Sequence, residues 1–352
     1  MNIAIIGLTI TSSWGNGHAT TYRALVRELD ALGHGVTFLE HDKPWYASNR
    51  DLPDPPFGKT ILYADFDTLE REHKELVANA DAVVVGSYVP RGVEVGDWAL
   101  CTARGPVAFY DIDTPVTLAK LRRGDFEYVS PELIPRYAAY LSFSGGPTLD
   151  RLEREFGSPM ARPLYCSVDP QLYFPQDAKP AYDLSYLGTY SDDRQPTVNQ
   201  LLIETARKSP GRSFCVAGPQ YPAEIAWPAN VERIEHLPPA EHRGFYNRSR
   251  WALNVTRSDM IAAGWSPSVR LFEAAACGTP VVSDRWDGLG DFFKLGEEIV
   301  VADTTANAVE ALAMPSDEAE AIGAAARERV MARHTARHRA EELVAYLREL
   351  GA

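Results

Sequence analysis

Unbroken apolar runs of four to six residues alternate with stretches whose apolar positions recur every three or four residues. The first texture predicts strands covered on both faces, the second amphipathic helices. "NIAIIG" opens the chain as a buried strand. A helix is predicted near 18–32, with Ala24, Leu25, Leu29 and Leu32 on one face. "GHGVTFLEHD", "ADAVVVGSY" and "GPVAFYDID" follow as strands, and "YAAYLSFSGG" and "ARPLYCSVD" as a fifth and sixth. In "DPQLYFPQDAKPAYD" the periodicity lapses among three prolines, which predicts a linker. The second half then repeats the theme. Its strands are "DLSYLGTY", "RSFCVAG", "VERIEHLP", "WALNVTRS", "TPVVSDRW" and "EEIVVAD", with helices near 194–208, 239–249 and 267–277. Residues 316–352, rich in Ala, Glu and Arg, read as two helices with solvated faces.

Alternation of this kind gives parallel sheets with right-handed crossovers. The predicted fold class is α/β, with two Rossmann-like domains whose parallel sheets face a cleft. The expected divisions are 1–170, a linker over 171–182, a second domain over 183–335, and a C-terminal helix, 336–352, that could cross back to the first domain. Ligands of such sheets sit beyond the carboxyl ends of the strands.

A length of 352 residues supports the two-domain reading. The formal net charge of −13 argues against nucleic acid and anionic membrane surfaces as main partners. It leaves room for a small anion in a local basic pocket. No apolar run approaches the roughly 18 residues of a membrane span, so no stable membrane insertion is expected. The N-terminus lacks a basic leader and runs straight into a strand pattern. Four scattered cysteines, at 101, 166, 215 and 277, show no metal-ligand spacing and fit a reducing, cytoplasmic setting.

The stretch "SPSVRLFEAAACGTPVVSD" (266–284) carries the strongest chemistry. Ser266 reads as an N-cap, Pro267 as the first helical residue, Gly278 as the residue past the end. Arg270 and Glu273 are neighbours on that helix. They could form an intrahelical ion pair worth roughly 0.2–0.5 kcal/mol. Alternatively, the helix entrance, with Ser266, Ser268 and Arg270, takes a phosphate, and Glu273 accepts from two vicinal hydroxyls of a ribose. Together those groups fit a nucleoside diphosphate.

At these residues the chain resembles the group 1 glycosyltransferases of GT-B fold, in particular their spore-maturation (CgeB-like) branch. "YDIDTPVTL", "SFSGGPTLDRLE", "LYCSVDPQLY", "DLSYLGTYSDDRQP" and "LGDFFKLGEEIVVA" extend the likeness over most of 100–303. The resemblance implies a hexosyltransferase using a nucleotide sugar, with no metal or other cofactor and with retention of anomeric configuration. It implies that Glu273 binds the donor ribose and that Ser268 and Arg270 lie near the diphosphate, with Ser266 and Pro267 as further donor-binding candidates. Arg194 would meet the pyrophosphate, Gly188 and Thr189 would let backbone approach it, and the base, uracil or thymine, would rest near Gly218, His236 and Leu237. Two positions depart from the pattern. Trp265 stands where the clan often carries a carboxylate that touches the donor sugar, and Asn199 where it often carries a lysine. Arg257 could supply the second charge or be a surface arginine.

In the first half, "SSWGNGHATTYRAL" offers Gly15, Gly17 and His18 at a helix mouth. His18 could bond a substrate, act as a base or cap the helix. Asp111 and Asp113 form a D-x-D at a strand end. Asp113 is the candidate for acceptor contact or base, with a turn or cap as its plainer role. Asp111 and Tyr88 are cleft candidates on the acceptor side, and the acceptor itself is not specified. Two other functions compete. One is a catalytically silent protein of the same fold that binds a nucleotide or glycan. The other is an NAD-dependent oxidoreductase, suggested by Gly15-x-Gly17 with Glu40 past the second strand but weakened by Thr20 in place of the third glycine.

Overall fold

The computed structural model describes residues 1–352. They form two compact units, Met1–Cys166 with Ala336–Ala352, and Ser167–Thr335. The first is built on seven parallel strands: β1 (Asn2–Gly7), β2 (Gly35–His41), β3 (Lys59–Tyr63), β4 (Ala82–Gly86), β5 (Val107–Asp111), β6 (Ala139–Ser142) and β7 (Ala161–Pro163). Their order is 3-2-1-4-5-6-7. Six match the predicted runs. The seventh, β3, falls in "KTILY", which has no apolar run because it is an edge strand with only Tyr63 buried.

Because β1 and β4 are fully covered on both faces, nearly every residue in them is apolar. One face of the sheet carries Val83, Val85, Phe109 and Tyr140. The other carries Ile3, Ile5, Val84 and Tyr110, under the His18–Ala31 helix and the terminal Ala336–Glu349 helix. Leu343, Val344 and Leu347 of that terminal helix are core residues, so its face is not solvated as its arginine content suggested. Buried Arg339 is paired along it with Glu342 at 2.5 Å.

The second unit holds β8 (Leu184–Leu187), β9 (Phe214–Ala217), β10 (Val231–Ile234), β11 (Ala252–Asn254), β12 (Val281–Ser283) and β13 (Val300–Val301), all parallel, in the order 10-9-8-11-12-13. These are the six predicted strands. Strand order reverses between β8 and β11 here, and between β1 and β4 in the first unit. At such a reversal neighbouring crossovers leave on opposite faces, which opens a crevice at the strand ends. Each unit has its own such crevice, lined by loops 188–194 and 255–258 in the second unit and by loops 8–17 and 87–91 in the first. No helix is long and apolar enough to cross a membrane.

Candidate functional site

The loop leaving β8 and the loop leaving β9 lie backbone to backbone. A Cβ on Gly218, whose φ is +145°, would sit 2.1 Å from the Gly188 carbonyl oxygen. A Cβ on Gly188 would meet the Tyr186 hydroxyl at 2.7 Å and Arg270 Nη1 at 3.1 Å. Position 218 does not tolerate a side chain, and one at 188 would displace the Tyr186 hydroxyl. Tyr221 donates to the Gly188 carbonyl at 3.0 Å, and Tyr190 N–H to the Pro219 carbonyl at 3.0 Å. Arg233 on β10 fixes the assembly from behind. Its guanidinium donates to the carbonyls of Val216 (2.5 Å) and Gly218 (2.9 Å) and stacks on Tyr221 and Trp227, 4.1 and 4.8 Å from their centroids.

Three arginines converge on this crevice. Arg194, buried, donates from Nη2 to the Thr189 carbonyl at 2.6 Å, while its Nε is buried with no acceptor. Burial lowers its affinity for the proton, Tyr186 opposes that, and the positive charges of Arg270 and Arg257 lower it further. Arg270 reaches the Leu187 carbonyl at 3.0 Å. Arg257 lies 4.0 Å from Asp193, which also accepts from Ser258 N–H at 2.9 Å. The cluster therefore holds cations close enough to repel one another. An anion at this point removes that repulsion and supplies the missing acceptor.

The helix predicted over 267–277 begins later than expected. It spans Val269–Ala276, with Ser268 extended in the cap position and making no side-chain cap bond. Ser266 and Pro267 precede it as buried, non-helical residues, because Gly264 and Trp265, at φ +64° and +42°, turn the chain just before them. The intrahelical Arg270–Glu273 pair is not formed, since Arg270 points to the end of β8. Glu273 is buried and accepts from Tyr246 at 3.4 Å. Tyr173 lies beside it. Burial, and after it the charge on Glu273, raises the pKa of both phenols well above the usual tyrosine value, so both remain donors. Tyr173 also stands 3.4 Å from His242 Nδ1, whose Nε2 is 3.2 Å from the Leu237 carbonyl. The carboxylate is thus tied to the 236–238 backbone, while the His236 side chain is exposed. Tyr173, Tyr246, His242 and Arg233 went unseen in the sequence, because the contacts that bring them to the site come from other elements of the fold.

Trp265 places its indole N–H 2.5 Å from Asp291. A carboxylate therefore stands beside Trp265, the position at which this chain departs from the clan pattern. Asn199 is exposed, accepts from Gln195 at 2.7 Å and opens the π-helical turn Asn199–Ile203.

In the first unit His18, Tyr88 and Asp113 are brought together. The Tyr88 hydroxyl donates to Asp113 at 3.3 Å, and its ring meets His18 edge-on with centroids 5.2 Å apart. Burial pushes His18 down to about 4, and its Nδ1 is buried without a partner. A neutral imidazole of such low basicity is a poor proton acceptor at neutral pH and a better hydrogen-bonding group. Gly15 and Gly17 lie open in the loop before it, Gly15 with a φ of +66° that demands glycine. Asp113 occupies the cap position of the Thr114–Arg122 helix without a side-chain cap bond.

Asp111 corrects the reading of a cleft residue. It is fully buried, accepting from Tyr140 (2.5 Å), Thr117 (2.8 Å) and Asp113 N–H (3.2 Å). Its pKa is raised by burial, against those hydrogen bonds. With its oxygens so committed, the D-x-D does not present two carboxylates to a metal. Glu40 is likewise spent. Its oxygens accept from Thr9 Oγ1 (3.0 Å), Ile10 N–H (2.7 Å), Thr11 N–H (3.0 Å) and Thr11 Oγ1 (2.6 Å), and it is wholly buried. No lone pair is left for a ribose, which removes the structural basis of the NAD reading. Glu40→Ala is expected to orphan all four donors and to destabilise the first unit by about 2–4 kcal/mol. Urea unfolding followed by circular dichroism measures it, and an unchanged midpoint would show the network to be dispensable.

Residues 194–345 match a family model described as glycosyl transferase-like. No curated protein matches the chain by sequence. Among solved structures, sucrose-phosphate synthase from Thermosynechococcus elongatus superposes with a TM-score of 0.71 at 15% identity, over 99% of this chain and 98% of that one. Anabaena HepE in complex with UDP-glucose gives 0.72 at 12% identity, over 99% and 100%. A DNA-modifying beta-glucosyltransferase studied with its substrate UDP-glucose gives 0.66 at 13% identity, over all of both chains. At these identities the likeness shows the fold, which is GT-B. Family match and fold together support the GT-B glycosyltransferase class.

Proposed function

We propose that this chain is a metal-independent hexosyltransferase of the CgeB-like branch, cytoplasmic, taking its sugar from a UDP- or dTDP-linked donor with retention of configuration. The observation that carries the reading is the cluster of Arg194, Arg270 and Arg257 at the strand-order reversal, with the buried carboxylate of Glu273 on the adjoining helix. As the glycosidic bond lengthens, negative charge grows on the leaving diphosphate. Fixed cations and the first-turn amides of the Val269–Ala276 helix stabilise that charge more than the ground state. Glu273 orients the nucleoside through its ribose. Attack from the leaving-group side asks little of a protein base. On an inverting path Asp113 or His18 would serve as the base. Although one protein of similar fold modifies DNA, the net charge of −13 favours a non-nucleic acceptor.

A thermal-shift screen across UDP-, dTDP- and GDP-sugars, with and without chelator, tests the donor side. At a hundredfold excess over Kd, the matching sugar is expected to add about 2.7 kcal/mol of apparent stability, unaffected by chelator. No shift with any of them would end the reading.

Trp265 favours one second reading, a silent protein that binds the nucleotide sugar without turnover. Slow release of free UDP from the bound donor separates enzyme from binder, because transferases of this kind pass sugar to water when no acceptor is present.

A further inference from the structure

Two loops leave the carboxyl ends of β1 and β2 and are stitched together. Ser12 Oγ accepts from Trp14 N–H at 3.3 Å and donates to the Asn49 carbonyl at 2.8 Å, and the Asn49 amide donates to the Trp45 carbonyl at 2.9 Å. Three hydrogen bonds thus run from Trp14 to Trp45. Beneath them the Glu40 network fixes residues 9–11. Arg23 pairs bidentately with Asp51, which also holds Ser13, and Arg50 bridges Thr11 Oγ1 and Asp42. On this braced support the two indoles are left in water: Trp14 is 50% exposed and Trp45 63%. Both are large apolar rings whose exposure costs free energy, yet neither loop needs a tryptophan for its own hydrogen bonds.

We propose that Trp14 and Trp45 form a platform on which a carbohydrate acceptor stacks. The inference rests on the transferase reading, and names the chemical class of its second substrate. A pyranose presents a face of C–H bonds that packs against an aromatic ring while its hydroxyls stay hydrated or bond to nearby carboxylates and amides, which matches an indole ringed by polar groups. The loop arginines are already paired with Asp51 and Asp42, so they do not attract an anionic bilayer or a polyanion. Pre-bracing of both loops lowers the entropy lost on binding. His18 begins its helix four residues after Trp14, on the same segment that leaves β1.

The test titrates the full chain with maltohexaose, cellohexaose and chitohexaose, read by saturation-transfer NMR, beside a thermal-shift measurement with UDP-glucose. At least one oligosaccharide is expected to bind. Trp14→Ala and Trp45→Ala should each weaken it by about tenfold, Trp→Tyr at either site should keep most of the affinity, and the UDP-glucose shift should be the same in all variants. Binding of no oligosaccharide, or equal binding by the double alanine variant, overturns the platform. So does tryptophan-dependent binding to phosphatidylcholine–phosphatidylglycerol vesicles in place of sugars. Because the UDP-glucose arm reads the donor side alone, its failure strikes the transferase reading, while the oligosaccharide arm still decides the platform.

Discussion

Arg194→Ala is expected to lower kcat by about two to three orders of magnitude, the 2.7–4 kcal/mol associated with removing one preorganised donor from a developing anion. The donor KM should change far less. The reason lies in where the guanidinium is held. It is buried, tied on one nitrogen to the Thr189 carbonyl, and its Nε has no acceptor. A group so placed cannot reorganise when the substrate arrives. Its full effect is reserved for charge that appears during bond cleavage. Since the same guanidinium positions the 188–190 backbone, Arg194→Lys serves as the control. It keeps the charge, loses the fork, and should recover part of the rate. Steady-state kinetics with melting curves for both variants make the comparison. Equal losses in kcat and in donor affinity would make Arg194 a ground-state contact only.

How much of this was legible in the chain depended on how local the cause is. Strands covered on both faces announce themselves as "VVVG" or "FCVA", since each position must be apolar. Edge strand β3 does not, because half of "KTILY" faces water. Pro267 imitates a helix start, yet Ser268 is extended, and only the turn at Gly264 and Trp265 explains why. The π turn at Asn199–Ile203 has no composition signal of its own.

Chemistry followed the same rule. Glycines and arginines in the loops after β8 and β11 were readable because the topology alone sends those loops to one crevice. The partners that hold Glu273 were not, as Tyr173, His242 and Tyr246 reach it from other elements. The two carboxylates of the D-x-D look equivalent in sequence. Residue 111 lies on the sheet face of Phe109, under Tyr140, whereas residue 113 has passed the strand end. Glu40 shows the converse error: an acidic residue at the end of the second strand fits a nucleotide fingerprint, but it lies within β2 and the loop after β1 has consumed its lone pairs.

Glu273→Gln is expected to weaken the donor by about 1.5–3 kcal/mol, ten- to hundredfold, the range for a hydrogen bond to a charged group. Glutamine preserves volume in a buried site, so the loss is not confused with a cavity. It does exchange an acceptor-only group for one with two donors, beside the phenols of Tyr246 and Tyr173 that already donate. Some destabilisation follows from that mismatch alone, and a drop in affinity by itself would be ambiguous. The ligand resolves it. A donor analogue lacking the ribose 2′-hydroxyl should bind the native chain about as weakly as the intact donor binds the variant, and should bind the variant no worse than the intact donor does. Calorimetric titration of the four combinations forms a double cycle whose coupling term isolates the carboxylate–hydroxyl contact. A coupling near zero, with both single changes costly, would mean that Glu273 braces the helix and its tyrosines and never touches the sugar ring.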